Sequence, residues 1–430
     1  SSGTSPTPHR TALVLSGGGA RGAYEVGVLA YLFEEILPRL PPGFEFDIVS
    51  GTSVGAIHAA YVAATAHLSA PQRIQRLLDT WSAMRITDVL RVSGTDLLGV
   101  PLRALGLARL RRRMGGKDQG DVLGGLVDLA PLERLVGERI PWAALRDNLA
   151  AGRPGALAVS CTEVSSGRVT VFMDGALSDP SPWGFDPGAQ AHRTEIDARH
   201  VRASAAIPFL FPAVQVGERY YVDGGLRINT PLVPALRLRA DRVLVIALKH
   251  APFRNGGLEA YPDDVITQPA FLLGKVLNAL LLDPLEYELE RIGLVNAWIE
   301  HGEKCFGEEF LPRINEAVRA QRGVGYRTVR AVSIRPSEDV GEVAGRCYQR
   351  DKGRSLGLIP SLMARASLRG VPGDEADLLS YIYFDRAFTR ELIELGREDA
   401  RTRHDEMLAL LGGEGGGESG LQSRSAQTGA

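Results

Sequence analysis

Two short apolar runs, each breaking into a glycine-bearing turn, constrain the fold of this chain more than any other feature. Residues 11–15, TALVL, lead into Ser16-Gly17-Gly18-Gly19-Ala20-Arg21-Gly22. Residues 44–49, FEFDIV, lead into Ser50-Gly51-Thr52-Ser53-Val54-Gly55. Between them, Tyr24, Val28, Tyr31, Leu32 and Ile36 recur at helical spacing across 22–37, and Pro38 stops the pattern. A helix rich in small residues follows from about Val54 to Ala66. A continuous apolar run suits a strand covered on both faces. Strand, helix, strand, helix therefore predicts an α/β fold, with a central, mostly parallel sheet flanked by helices.

The rest of the chain extends this reading. Strands are expected at 156–160 and 168–173, joined by the turn Ser165-Ser166-Gly167, and at 219–222, 242–248 and 327–335. Helices are expected at 71–84, over most of 270–300, and as one or two helices at 376–411. Residues 176–192, rich in Pro and Gly, read as a loop. We divide the chain into a flexible N-terminus at 1–10, a catalytic core at 11–250, and a mainly helical part at 251–411 that packs on or completes the core. The Gly/Ser-rich tail at 412–430 reads as disordered.

Composition excludes several function classes. The net charge is −2 over 430 residues, which gives no general attraction to nucleic acid or to an anionic membrane. Cys161, Cys305 and Cys347 lie far apart, which suits neither a disulfide framework nor a zinc site. A reducing, cytoplasmic location is the expectation. No apolar run approaches the roughly 18 residues of a membrane span, and SSGTSPTPHR has no apolar segment of a signal peptide. No calcium loop or spaced carboxylate cluster is visible, so neither a metal nor a cofactor is expected.

The first glycine loop can approach a ligand closely, and the helix start behind it supplies free N–H donors. Gly17, Gly19 and Gly22 also fit GxGxxG, which leaves a dinucleotide site open at this point. That site calls for an acid at the end of the next strand, where this chain has Ile48-Val49-Ser50. The second loop, Gly51-Thr52-Ser53-Val54-Gly55, is GxSxG between a strand and a helix. Glycines two residues either side of Ser53 permit the sharp turn that lifts its hydroxyl, and the Val54 N–H can face a developing oxyanion. The competing reading is a tight turn without chemistry.

A nucleophilic serine needs a base. His58 follows Ser53 by five residues on the same helix and so faces away from the helix start. The other seven histidines stand in polar or loop contexts without a supporting motif. Asp223 differs: it follows Arg219-Tyr220-Tyr221-Val222 and precedes Gly224-Gly225, a strand end followed by glycines. Asp-Gly by itself is most often a plain turn.

The loop GGGARG, the elbow GTSVG and the turn DGG stand in the order of the patatin-like phospholipases, and the chain resembles that family over about 11–250. The segment ASAAIPFLFPAV (203–214) resembles the family's stretch before the acidic turn, and DLLSYIYFDRAFTRELIELGREDA (377–400) resembles the C-terminal helices of bacterial members. The resemblance implies a patatin-like three-layer α/β/α fold with additional C-terminal helices. It also implies a Ser53–Asp223 dyad acting through an acyl-Ser53 intermediate, with the amides of Gly17, Gly18 and Gly19 as oxyanion hole. Arg21, Gly51, Gly55, Gly224 and Gly225 take supporting places. Arg21 either supports the loop, approaches a phosphate, or pairs with a neighbouring acid.

The implied substrate is a phospholipid or lysophospholipid, with no nucleotide or nucleic acid. Two further functions stay open: an acyltransferase using the same acyl-enzyme, and a catalytically silent lipid-binding module. The basic stretch PLRALGLARLRRRM (101–114) suits either a peripheral membrane contact or a solvated cover helix. The apolar segment 271–282 suits a core helix or the wall of an acyl channel.

Overall fold

A computed structural model describes residues 9–89, 130–208, 211–250, 285–351 and 376–412. The stretches 101–114 and 271–282 and the tail beyond residue 412 lie outside these, as do the readings placed on them.

One nine-stranded sheet organises the chain. Strands β1 (Thr11–Leu15), β2 (Ile48–Thr52), β3 (Ala156–Glu163), β8 (Arg242–Ile246) and β9 (Arg330–Ile334) run parallel in the order β3-β2-β1-β8-β9. Beyond β3 the sheet turns mixed. Strand β4 (Val169–Asp174) is antiparallel to β3, and β5 (Ala189–Arg193) is parallel to β4. The hairpin of β6 (Val214–Val216) and β7 (Arg219–Asp223) joins through β7, antiparallel to β3. The expected mostly parallel α/β sheet is the fold observed.

Alternate strand residues feed two cores, as a sheet covered on both faces requires. Leu13, Leu15, Val49, Val159 and Ile246 point to one face. There they meet α1 (Gly22–Tyr31), α2 (Val54–Ala64), α3 (Ala70–Ala83) and a later helix, Arg386–Thr402. Ala12, Val14, Ile48, Ala158 and Val245 point to the other face, where Leu232 and Ala235 of the helix Leu232–Arg237 and Leu285 of the helix Leu285–Phe306 pack. The far C-terminal helices are part of the first core. A Cβ on Gly27 of α1 would stand 2.0 Å from the Ile393 carbonyl oxygen, and one on Gly396 would stand 2.3 Å from that of Tyr24. Two helices can cross this closely only where both are glycine.

Several boundaries differ from the sequence reading. The second strand starts at Ile48 and runs through Thr52, because Phe44–Asp47 serves as the approach; there Asp47 exchanges bonds with Thr11 through its own N–H and its carboxylate. Part of the expected loop 176–192 is strand β5, an edge strand of sequence AQAHR with weak strand propensity. Residues 376–411 form three helices, Ala376–Ile382, Arg386–Thr402 and His404–Leu411.

Candidate active site

Strand pairing explains how residues 53 and 223 meet. Both β2 and β4 pair with the same part of β3, so they lie on its opposite edges. Strand β2 holds its edge up to the pair Thr52–Ser160, then curls away at Ser53. Strand β7 takes over that edge at the next residue of β3, with Asp223 opposite Cys161. Because β7 is antiparallel to β3, the two strands run at one another, and their C-terminal ends meet. The two side chains 170 positions apart in sequence thus stand at the abutting ends of two strands.

The turn at Ser53 has φ 56 and ψ −125, a left-handed backbone for a residue with a side chain. The flanking glycines supply room for it. A Cβ at Gly51 would lie 2.2 Å from the Gly55 carbonyl oxygen, and a Cβ at Gly55 would lie 2.3 Å from that of Leu15. Gly224 is equally confined, with 2.3 Å from its Cβ position to the Ser160 carbonyl oxygen. Ser53 and Asp223 are both buried.

The Asp223 carboxylate accepts the Gly225 N–H at 2.7 Å, and the Ser53 side chain lies close enough to it to favour its ionised form. Burial pushes the Asp223 carboxyl up to about 6, and the neighbouring Ser53 side chain and Gly225 N–H resist the shift. His58 is turned away: its Nδ1 is 2.6 Å from a carboxylate oxygen of Glu25, inside the core.

The glycine loop packs against the elbow, and a Cβ on Gly17 would be 3.1 Å from Ser53 Cβ. Its amides divide into two kinds. The Gly17 N–H donates to the Asn229 carbonyl at 3.0 Å, so it is committed to the backbone and does not fit the oxyanion role given to it from sequence. Gly18 and Gly19 stand at the start of the short helix Gly19–Arg21, where N–H groups have no intrahelical acceptor. The Val54 N–H opens α2 in the same way.

Arg21 is buried. Its Nε donates to Ser380 Oγ at 2.7 Å, and its guanidinium lies 4.0 Å from the centre of the Tyr381 ring. The side chain ties the glycine loop to the C-terminal helix Ala376–Ile382, and Gly19 packs against the Tyr381 carbonyl.

Ser53 and Gly19 form part of the wall of an apolar cavity. Ile57, Leu77, Trp81, Met84, Ile140 and Phe384 line it. Sequence reasoning missed the contribution of Phe384 and Tyr381, some 330 residues beyond the elbow, because nothing local marks them as neighbours of Ser53. It also missed Ser204, whose hydroxyl accepts the Ser53 N–H at 2.9 Å; the segment ASAAIP was the available signal.

Comparison with known proteins gives the following. A family model for patatin-like phospholipase matches residues 13–236, about half of the chain. An uncharacterized protein of Bacillus subtilis, YqhO, is 29% identical over 223 residues, covering 51% of this chain and 64% of that protein. Triacylglycerol lipase 4 of Saccharomyces cerevisiae is 42% identical over 71 residues, covering 16% of this chain and 7% of that protein. The chain thus spans less than two thirds of these curated relatives. Among solved structures, human GIVD cytosolic phospholipase A2 aligns with 94% of this chain and 58% of its own at 14% identity and a TM-score of 0.39. VipD from Legionella pneumophila aligns with 94% of this chain and 68% of its own at 15% identity and a TM-score of 0.32. The extent of the family match, carried by the same loops that build the site, places this chain in the patatin-like phospholipase family.

Proposed function

We propose that this chain is a lipid acyl hydrolase that cleaves acyl esters of glycerophospholipids or lysophospholipids through an acyl-Ser53 intermediate. One observation carries the reading: Ser53 and the buried Asp223 stand together at the abutting ends of two strands, at the wall of an apolar cavity.

In the first half-reaction Ser53 Oγ attacks the ester carbonyl while Asp223 takes its proton. A free carboxylate, near pKa 4, is a weak base. Asp223 is stronger because burial raises it to about 6, yet it is still ionised at neutral pH. The oxyanion is received by the Gly18, Gly19 and Val54 amides; one such donor commonly supplies about 3 kcal/mol. Asp223 returns the proton to the departing alcohol. A water then replaces the alcohol and attacks the acyl carbonyl, losing a proton to Asp223; the Ser53 Oγ–acyl bond breaks, Asp223 returns that proton to Ser53 Oγ, and the fatty acid leaves. The cavity supplies the apolar bed for the acyl chain.

Treatment with a long-chain fluorophosphonate, followed by mass spectrometry, tests this. The phosphonyl group should appear on Ser53 with release of fluoride, and Ser53→Ala should abolish both labelling and hydrolysis. A label on any other residue would refute the assignment. Adding an acceptor alcohol separates hydrolysis from acyl transfer by whether free fatty acid or a new ester accumulates.

A further inference from the structure

We infer that Ser204 is a positioning residue of the reaction, the hydroxyl that bridges the elbow amide of Ser53 to strand β3 and, with the backbone of Ala206, sets the spacing between nucleophile and acid. The inference rests on the proposed roles of Ser53 and Asp223.

The bridge fills a gap that the elbow creates. Strand β2 is paired with β3 up to Thr52 and Ser160. At Ser53 the chain leaves the ladder, so its N–H and the Ser160 carbonyl would both lose a strand partner. Ser204 Oγ stands between them: it accepts the Ser53 N–H at 2.9 Å and donates to the Ser160 carbonyl at 2.6 Å. One side-chain hydroxyl thus adds a final rung where the backbone has curled away. Ser204 is fully buried, so the connection is shielded from solvent.

The same segment grips the acid. The Ala206 carbonyl accepts the Asp223 N–H at 2.9 Å. One residue separates Ser204 from Ala206, so a three-residue stretch is bonded to the backbones of both functional residues. This stretch is itself anchored. It follows the helix Ala198–Ser204, whose start is capped by Asp197 accepting from the Arg199 and His200 N–H groups. The Asp223 carbonyl, in turn, accepts from Thr162 Oγ1 at 3.0 Å, on β3 again. Strand β3 and residues 204–206 together form a jig. The hydroxyl is the one side-chain link in it that joins to the nucleophile, and alanine removes it with little change of shape.

The test compares wild type, Ser204→Ala and Ser204→Cys, with turnover expressed per site titrated by the fluorophosphonate. We expect Ser204→Ala to lower kcat about 10- to 100-fold, the scale of a small misplacement of reacting groups, with KM within about twofold. The acid limb of its pH profile should move to higher pH, because a looser Ser53 no longer holds the Asp223 carboxyl down. Ser204→Cys, nearly isosteric but a poor hydrogen-bonding group, should fall between the two. A structural role alone would lower the melting temperature and leave kcat per titrated site and the pH limb unchanged; that result would overturn the inference. Should Ser204→Ala fail to fold, the cysteine variant decides by the same split. Wild-type protein that hydrolyses esters without labelling at Ser53 would break the reading of the site itself, and this inference with it.

Discussion

Two strand ends with glycines beside them meet at the site, and they hold their functional side chains by different means. At Ser53 the backbone is left-handed, with φ 56 and ψ −125. At Asp223 it is ordinary and extended, with φ −48 and ψ 130. The serine side chain carries no charge problem, and its cost is one of backbone conformation. The acid has no backbone problem, and its cost is desolvation, expressed as a carboxyl raised to about 6. Function thus takes stability from the fold at both points: at one as strain independent of pH, at the other as a charge whose cost appears only when the proton leaves.

The largest effect expected from separating the two is that of Asp223→Asn. It keeps the shape and removes the proposed base, and kcat should fall about 10³- to 10⁴-fold. In wild type, kcat/KM should decline about tenfold per pH unit below an apparent pKa near 6. Stability should move the other way. The folded carboxyl binds its proton more tightly than the unfolded one, so wild-type stability is greatest when Asp223 is protonated and falls as pH rises from about 4 through 6. Asp223→Asn removes that loss and should raise the melting temperature at pH 8, by on the order of 1–3 kcal/mol of stability. At pH 4 the gain should vanish. A variant that is less stable than wild type at pH 8 would show that the hydrogen bonds to the carboxylate outweigh its desolvation.

Next in size is the loss of space around the elbow. Gly55→Ala drives a methyl to 2.3 Å from the Leu15 carbonyl oxygen, which is backbone in a central strand and cannot yield. We expect about 3 kcal/mol or more of destabilisation, read by urea unfolding, and little labelled Ser53.

How much of this was legible in the sequence follows from the range of the forces involved. TALVL announced a buried strand because apolar burial leaves a local composition, while FEFDIV marked only the start of the second strand, at Ile48. Ser53 and Asp223 were marked by the glycines that their turns require. The roles of Gly17, Ser204 and Tyr381 were not legible, since each depends on a partner far away in sequence. Gly17 looks like Gly18 and Gly19 in the sequence, yet the Asn229 carbonyl, over 200 residues later, takes its amide. Strand β5 was hidden for a related reason: it is held by its neighbour β4, and AQAHR has little propensity of its own. Arg21 was visible as a residue of interest, but Ser380 and Tyr381, which fix it, were not.

The smallest effect isolates the strain at the elbow. Ser53→Ala and Ser53→Gly both delete the hydroxyl and its interaction with Asp223, so both should lose activity, and that loss cancels between them. What differs is the backbone. Alanine must still adopt φ 56, where its Cβ crowds the chain, while glycine reaches that region freely. Glycine also gains more freedom when unfolded, which offsets part of the relief. The net expectation is that Ser53→Gly is more stable than Ser53→Ala by about 1 kcal/mol, by the same amount at pH 5 and pH 8. The pH independence is what sets this apart from Asp223→Asn. Equal stability of the two serine variants would mean that the elbow is not strained, and that both ends of the site are held by burial alone.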